Sequence, residues 1–143
     1  MSAHDTAANK ELIRDLYGTL YEDKAFGAVQ EYYAEGAIRH GGFQGSLEGR
    51  KALQGYLQAA LGGLSDIEIT ELHCLAEGDM IAFDFDMAAT HSGEMLGVPP
   101  TDNRFEFTNA ALFRIEDGLV TDEWPRTDRL GLLEGIGLVE VPL

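Results

Sequence analysis

The stretch that decides the fold reads Phe105-Glu106-Phe107-Thr108-Asn109-Ala110-Ala111-Leu112-Phe113-Arg114-Ile115, then Glu116-Asp117-Gly118, then Leu119-Val120-Thr121-Asp122-Glu123-Trp124. The first run alternates, so Phe105, Phe107, Asn109, Ala111, Phe113 and Ile115 share a face. Glu116-Asp117-Gly118 reads as a three-residue hairpin loop with Gly118 at the left-handed position. That register sets Ile115 opposite Leu119, Ala111 opposite Glu123 and Asn109 opposite Pro125. Asp122, Trp124 and Arg126 then face the other side. A slip of one residue would reverse every side chain of the second strand. One face of the hairpin is apolar except for Asn109, Thr121 and Glu123. Such a sparsely polar wall suits a pocket for a small organic molecule.

Upstream, Met80 to Thr90 also alternates, with Ile81, Phe83, Phe85 and Met87 on one side and Asp84 and Asp86 on the other. Glu77-Gly78-Asp79 reads as a turn, and Ile67 to Leu75 is a strand rich in β-branched residues. Ser92 to Arg104 is a long loop carrying Pro99-Pro100. Residues 5–22 form an amphipathic helix on the spacing of Leu12, Ile13, Leu16, Tyr17 and Leu20. Asp23 caps a second, shorter helix that buries Phe26, Val29, Tyr32 and Tyr33. Ala34 to Leu47 is Gly-rich and irregular, and carries Arg39 and His40. A third helix, 49–61, buries Leu53, Tyr56, Leu57, Ala60 and Leu61 and ends at Gly62-Gly63. Downstream, Asp128 is an N-cap for a short closing segment around Leu130-Gly131-Leu132-Leu133.

Helices followed by a run of strands is an α+β pattern. We expect a curved antiparallel sheet packed on three N-terminal helices, with an internal apolar pocket between them. The 143 residues suit one domain spanning 1–143. A hydrophobic content of 45% marks a folding chain. The formal net charge of −15 repels phosphate backbones and anionic membrane surfaces, so neither nucleic acid nor membrane is expected as a partner. The lone Cys74 excludes an intrachain disulfide and fits a reducing, cytoplasmic setting. No apolar run approaches the roughly 20 residues of a membrane span, and the N-terminus has no signal pattern. His4, His40, His73 and His91 lack ligand spacing, so no metal site is expected.

The order and spacing of several short motifs carry a resemblance. They are Gly78-Asp79, His91-Ser92-Gly93-Glu94, Gly97-Val98-Pro99-Pro100-Thr101, Phe113-Arg114-Ile115, Asp117-Gly118, Glu123-Trp124, Asp128, and the tail from Gly131-Leu132-Leu133 to Gly137. Over nearly its whole length the chain resembles the SnoaL-like polyketide cyclases of the nuclear-transport-factor-two-like superfamily. The resemblance implies a cone-shaped α+β barrel and a homodimer built on the outer face of the sheet. It also implies an intramolecular aldol ring closure that uses no cofactor. In that family an Asp just after the Trp position acts as acid/base, and a His on the neighbouring strand assists. Here those positions hold Pro125 and Ala111.

The residues themselves leave Glu123 as the candidate acid/base. Apolar surroundings disfavour a charged carboxylate, which would suit it to removing a proton beside a carbonyl. His40, near the expected opening, is the second catalytic candidate; a loop histidine is the alternative. Asn109 can orient a ligand carbonyl or satisfy a buried backbone group. Phe107, Phe85 and Tyr17 would line the pocket, and one of the inward tyrosines could assist Glu123. His91 could reach the rim or hold the following loop. The expected activity is cofactor-free acid/base chemistry of the cyclase or isomerase type on a hydrophobic, polyketide-like carbonyl compound. The alternatives are a non-catalytic binding protein for an apolar metabolite, and a hydrolase or dehydratase.

Overall fold

The structure, a computed structural model, describes residues 5–42, 45–140 and 142. Helix α1 spans Thr6–Leu16, and its first turn is capped by Asp5, whose carboxylate accepts from the Ala8 amide at 3.0 Å. The chain then widens into a π-helical turn over Tyr17–Glu22, closed by the Asp23 amide donating to the Gly18 carbonyl at 3.0 Å. This turn buries Tyr17, Leu20 and Tyr21 together. The second helix is a short 3-10 segment, Phe26–Glu31. Ala25 stands at its N-cap with no side-chain bond, so Asp23 does not cap it.

Strand β1 (Tyr33–Arg39) replaces the irregular segment expected there, and Tyr33 belongs to it rather than to a helix. Its sequence, YAEGAIR, does not alternate cleanly, which hides the strand. Strand β2 (Leu47–Glu48) is a brief edge, followed by α2 (Arg50–Leu61), which buries Leu53, Leu57 and Leu61. Strands β3 (Leu64–Glu77), β4 (Met80–His91), β5 (Arg104–Glu116) and β6 (Leu119–Thr127) follow, then α3 (Arg129–Gly135). Asp128 caps α3 as expected, accepting from the Gly131 amide at 2.9 Å.

The six strands run β2-β1-β6-β5-β4-β3 in one open sheet. All neighbouring pairs are antiparallel except β1 and β6, which are parallel. That parallel seam corrects the all-antiparallel expectation. It arises because β1 enters from the helical layer and joins the far edge of the last hairpin. The concave face carries Phe83, Phe85, Met87, Phe107 and Phe113 against the helices. The outer face leaves Leu72, Leu75 and Leu112 exposed. Among the described residues no helix is long and apolar enough to cross a membrane.

The β5–β6 hairpin differs from its expected register in two ways that offset each other. Its turn has two residues, not three: Glu116 pairs with Leu119, and Asp117 (φ 51°) and Gly118 (φ 77°) both adopt left-handed backbone. That alone would send Glu123 to the outer face. The register then shifts between Ile115↔Val120 and Arg114↔Asp122, leaving Thr121 as an extra, bulged residue. Phe113, not Ala111, therefore faces Glu123, and Ala111 faces Pro125. The net slip is two residues, so the parity survives and Glu123 points inward.

Loop 92–103 is tied to the start of β3 at one close approach. The Ser92 and Gly93 amides donate to the Gly63 carbonyl at 3.1 and 3.0 Å. A Cβ on Gly63 would lie 2.5 Å from the Glu94 carbonyl oxygen and 2.9 Å from that of Gly93. Gly63→Ala should therefore destabilise the protein by about 1–3 kcal/mol, read as a lower urea midpoint at unchanged slope. An unchanged midpoint would show that this approach is not constrained.

Candidate functional site

The concave face of the sheet and the helices enclose a cavity of about 270 Å³. Tyr17, Tyr21, Tyr56, Leu57, Phe85, Met87, Phe107 and Leu132 supply much of its apolar wall. Polar groups interrupt that wall at Arg39, Asn109, Glu123 and Thr127.

Glu123 is the deepest of these, with 2% of its surface exposed. Its surroundings are not apolar, contrary to the expectation. The Tyr33 hydroxyl donates to its Oε1 at 2.6 Å, and Nε of Arg39 stands 3.6 Å from its Oε2. The β1–β6 seam makes this contact, since Arg39 and Glu123 are direct partners in the parallel register. The Arg39 guanidinium lies over the Tyr56 ring at 4.1 Å, so α2 closes the group from the other side.

The charges follow from this geometry. Burial works against the Arg39 cation, but the facing Glu123 and the nearby tyrosines outweigh it and lift its pKa above the ordinary value. Burial, reinforced by the Glu123 charge, pushes the Tyr33 phenol well up, so it stays a donor. Tyr17 and Tyr21 are raised by burial in the same way. Of the inward tyrosines, Tyr33 is the one whose hydroxyl donates to Glu123.

Several expected residues meet in this cavity. Glu123, Asn109, Phe107, Phe85 and Tyr17 all line it. Tyr17 packs against Phe83 and Phe85 at ring distances of 4.8 and 4.5 Å. The amide nitrogen of Asn109 is buried without a hydrogen-bond partner among the described residues. His40 does not join them. Its Nε2 lies 2.9 Å from Asp122 Oδ1, and its ring stacks on Trp124 at 4.8 Å. Asp122 and Trp124 flank Glu123 on the outward side of β6, and His40 follows the last β1 residue, so the pleat directs it away from Glu123. The hydrogen bond from His40, ahead of that from Thr121, holds the Asp122 carboxyl below the usual range although its partial burial opposes this.

His91 also lies outside the cavity lining. It is fully buried, its Nδ1 is 3.0 Å from Thr101 Oγ1, and its backbone bonds to Asn103 and Asp102. It fastens the base of loop 92–103, whose Met95 and Leu96 reach the cavity wall. Among the described residues no three His, Cys, Asp or Glu side chains are grouped as a metal ion would need.

The family model of the SnoaL-like polyketide cyclases matches residues 11–136. The chain belongs to the SnoaL-like polyketide cyclase family. No curated protein matches the sequence. A solved SnoaL-like protein from Jannaschia sp. CCS1, assigned to the polyketide cyclases, is similar at TM-score 0.83 and 20% identity, over 94% of each chain. IdmH from Streptomyces antibioticus, also assigned to the polyketide cyclases, gives 0.77 at 25% identity, over 90% of this chain and 98% of its own. A LEH-like epoxide hydrolase from M. tuberculosis gives 0.72 at 14% identity, over 92% of this chain and 91% of its own. These neighbours share the cone-shaped fold of the superfamily, with the sheet left open in this chain.

Sequence reading missed Arg39. The pattern of Ala34 to Leu47 places it in an irregular segment, and only the parallel pairing of β1 with β6 sets it beside Glu123. Breaking a buried ion pair from one side leaves an uncompensated charge, at a cost of about 3–5 kcal/mol. Arg39→Met should destabilise by that order, and adding Glu123→Leu should recover part of the loss. A urea double-mutant cycle checks this; simple additivity would show that the two side chains are not coupled.

Proposed function

We propose that this chain performs cofactor-free acid/base chemistry on a hydrophobic, polyketide-like carbonyl compound, of the cyclase or isomerase type. The observation that carries the reading is a buried carboxylate, Glu123, opening onto an apolar-walled cavity beside a guanidinium. Glu123 takes the proton from the carbon next to the substrate carbonyl. Arg39, held beside it, stabilises the oxygen charge that develops as the proton leaves. Tyr33 fixes the carboxylate through Oε1 and leaves Oε2 for the transfer. Phe85, Phe107 and Tyr17 exclude water, and Asn109 orients a substrate oxygen.

This assignment moves the acid/base group from the family position, Pro125 here, to a residue one pleat earlier on the same face. A second reading is a non-catalytic binding protein. It is favoured by Glu123 being already engaged by two partners and by Ala111 and Pro125 offering no ionisable group.

Deuterium uptake from D2O at the α-carbon of hydrophobic ketones, followed by NMR, separates the two. We expect uptake by the wild type, and a fall of about 10²–10⁴-fold in Glu123→Gln. Ketone binding without Glu123-dependent uptake would leave only the binding protein.

The reading includes a homodimer through the outer face of the sheet. Leu75 and Leu112 stand exposed there beside Ala82 and Ala110, an apolar area that a second copy would cover. Sedimentation should give twice the chain mass, and Leu112→Glu should shift it to the monomer. A wild-type monomer at micromolar concentration would remove this part.

A further inference from the structure

We infer that the cavity takes an elongated, neutral, apolar ligand with an oxygen function at each end: an enolisable carbonyl held at Arg39 and Glu123, and a second carbonyl or hydroxyl held at Asn109 and Thr127. The inference rests on the proposed function only for which end reacts.

The polar groups of the cavity fall into two clusters. At one end stand Glu123 and Arg39, with Tyr33 behind them and the phenols of Tyr17, Tyr21 and Tyr56, which also line the cavity, within electrostatic reach. At the other stand Asn109 and Thr127, direct cross-strand partners on β5 and β6. Glu123 and Thr127 are four residues apart on one strand, or about 13 Å at strand spacing. Midway between them Pro125 pairs with Ala111, and both line the cavity. The floor between the two ends is thus apolar and low, shaped for a hydrocarbon body rather than for a reacting group.

Each end has hydrogen-bonding capacity that the described residues leave unused. Three buried side-chain atoms among the described residues lack a partner, on Asp86, His91 and Asn109. Of these residues Asn109 alone lines the cavity. Leaving a buried amide unpaired is costly, and a ligand oxygen removes that cost. Rotating the carboxamide presents either its nitrogen or its oxygen, so a carbonyl and a hydroxyl are both accepted. At the other end the Arg39 guanidinium has, among the described residues, one ion pair, at 3.6 Å, and its face is taken by Tyr56. Its in-plane donors remain for an oxygen. Gly42, at φ 102°, lies against this group, and a Cβ there would fall 2.6 Å from Arg39 Nη1. A side chain at 42 would press on the guanidinium.

Charge selects a neutral ligand. Arg39 and Glu123 cancel each other, and the chain as a whole carries −15. A carboxylate would add an uncompensated buried charge, whereas a ketone, ester or alcohol adds none.

Three matched probes test this: an aryl ketone whose apolar chain ends in a hydroxyl, the same ketone ending in a methyl, and the same ketone ending in a carboxylate. Calorimetry on the full chain should show the hydroxyl probe binding about tenfold more tightly than the methyl probe, the gain of one buried hydrogen bond. The carboxylate probe should bind no better than the methyl probe. Asn109→Leu should erase the hydroxyl preference, bringing the hydroxyl and methyl probes to equal affinity, and Thr127→Val should reduce it. Equal affinity for the hydroxyl and methyl probes, preference for the carboxylate, equal weakening of all probes in Asn109→Leu, or binding of none would overturn the inference. Glu123-dependent deuterium uptake without the hydroxyl preference overturns this inference and leaves the proposed function standing. The preference without uptake does the reverse.

Discussion

A carboxylate with 2% of its surface exposed cannot stand in a protein interior alone. Glu123 therefore sets terms that the surrounding elements meet. It needs a cation, which β1 supplies as Arg39, and a donor, which β1 supplies again as Tyr33. Both come from the single strand that runs parallel to β6, six residues apart at its two ends. The Arg39 cation in turn needs cover, and Tyr56 on α2 provides it. The helical layer, the parallel seam and the last hairpin are thus joined at one buried charge pair. An apolar cluster of the same volume would hold the elements together at least as firmly. The pair is better understood through what it presents to the cavity than through what it adds to stability.

Much of this was legible in the sequence, and the limits have physical causes. The helices over residues 5–22 and 49–61 and the long strands follow from periodicity, because each buries one face against the other layer. The inward orientation of Glu123 was also legible, although by a route that contained two departures. A shorter turn and a bulge at Thr121 each shift the register by one residue, and alternation reports only the parity that remains. The identity of the cross-strand neighbour, which parity cannot fix, was not legible: Phe113 takes the place expected of Ala111. Strand β1 escaped because glycine and glutamate break its pattern, and a strand joined in parallel leaves no turn signal beside its partner. With β1 went Arg39, the ion pair, and the outward placement of His40.

Family membership does not by itself assign the site chemistry of this chain. The family match spans residues 11–136. Pro125 and Ala111 occupy the two positions that the resemblance makes catalytic, and neither can ionise. Pro125 is tolerated in β6 because it lies one pleat past the last β1 pairing, Arg39↔Glu123, where no strand among the described residues pairs with β6 on that side to receive an amide. The truncation of β1 at Arg39 thus both frees that edge and delivers the guanidinium.

The π-helical turn over Tyr17–Glu22 has a consequence for how this chain tolerates change in length. It holds one residue more per turn than the helix before it, and both Tyr17 and Tyr21 reach the cavity through it. Losing one residue from this turn would restore ordinary helical spacing and rotate α1 by about 100° relative to the segment that follows. The Ile13 and Leu16 face would swing off the core, and Asn9 and its neighbours would lose their places against the sheet. A single-residue deletion here would act as a phase error along the whole N-terminal layer, whereas the same deletion in the exposed part of loop 92–103 would be absorbed locally.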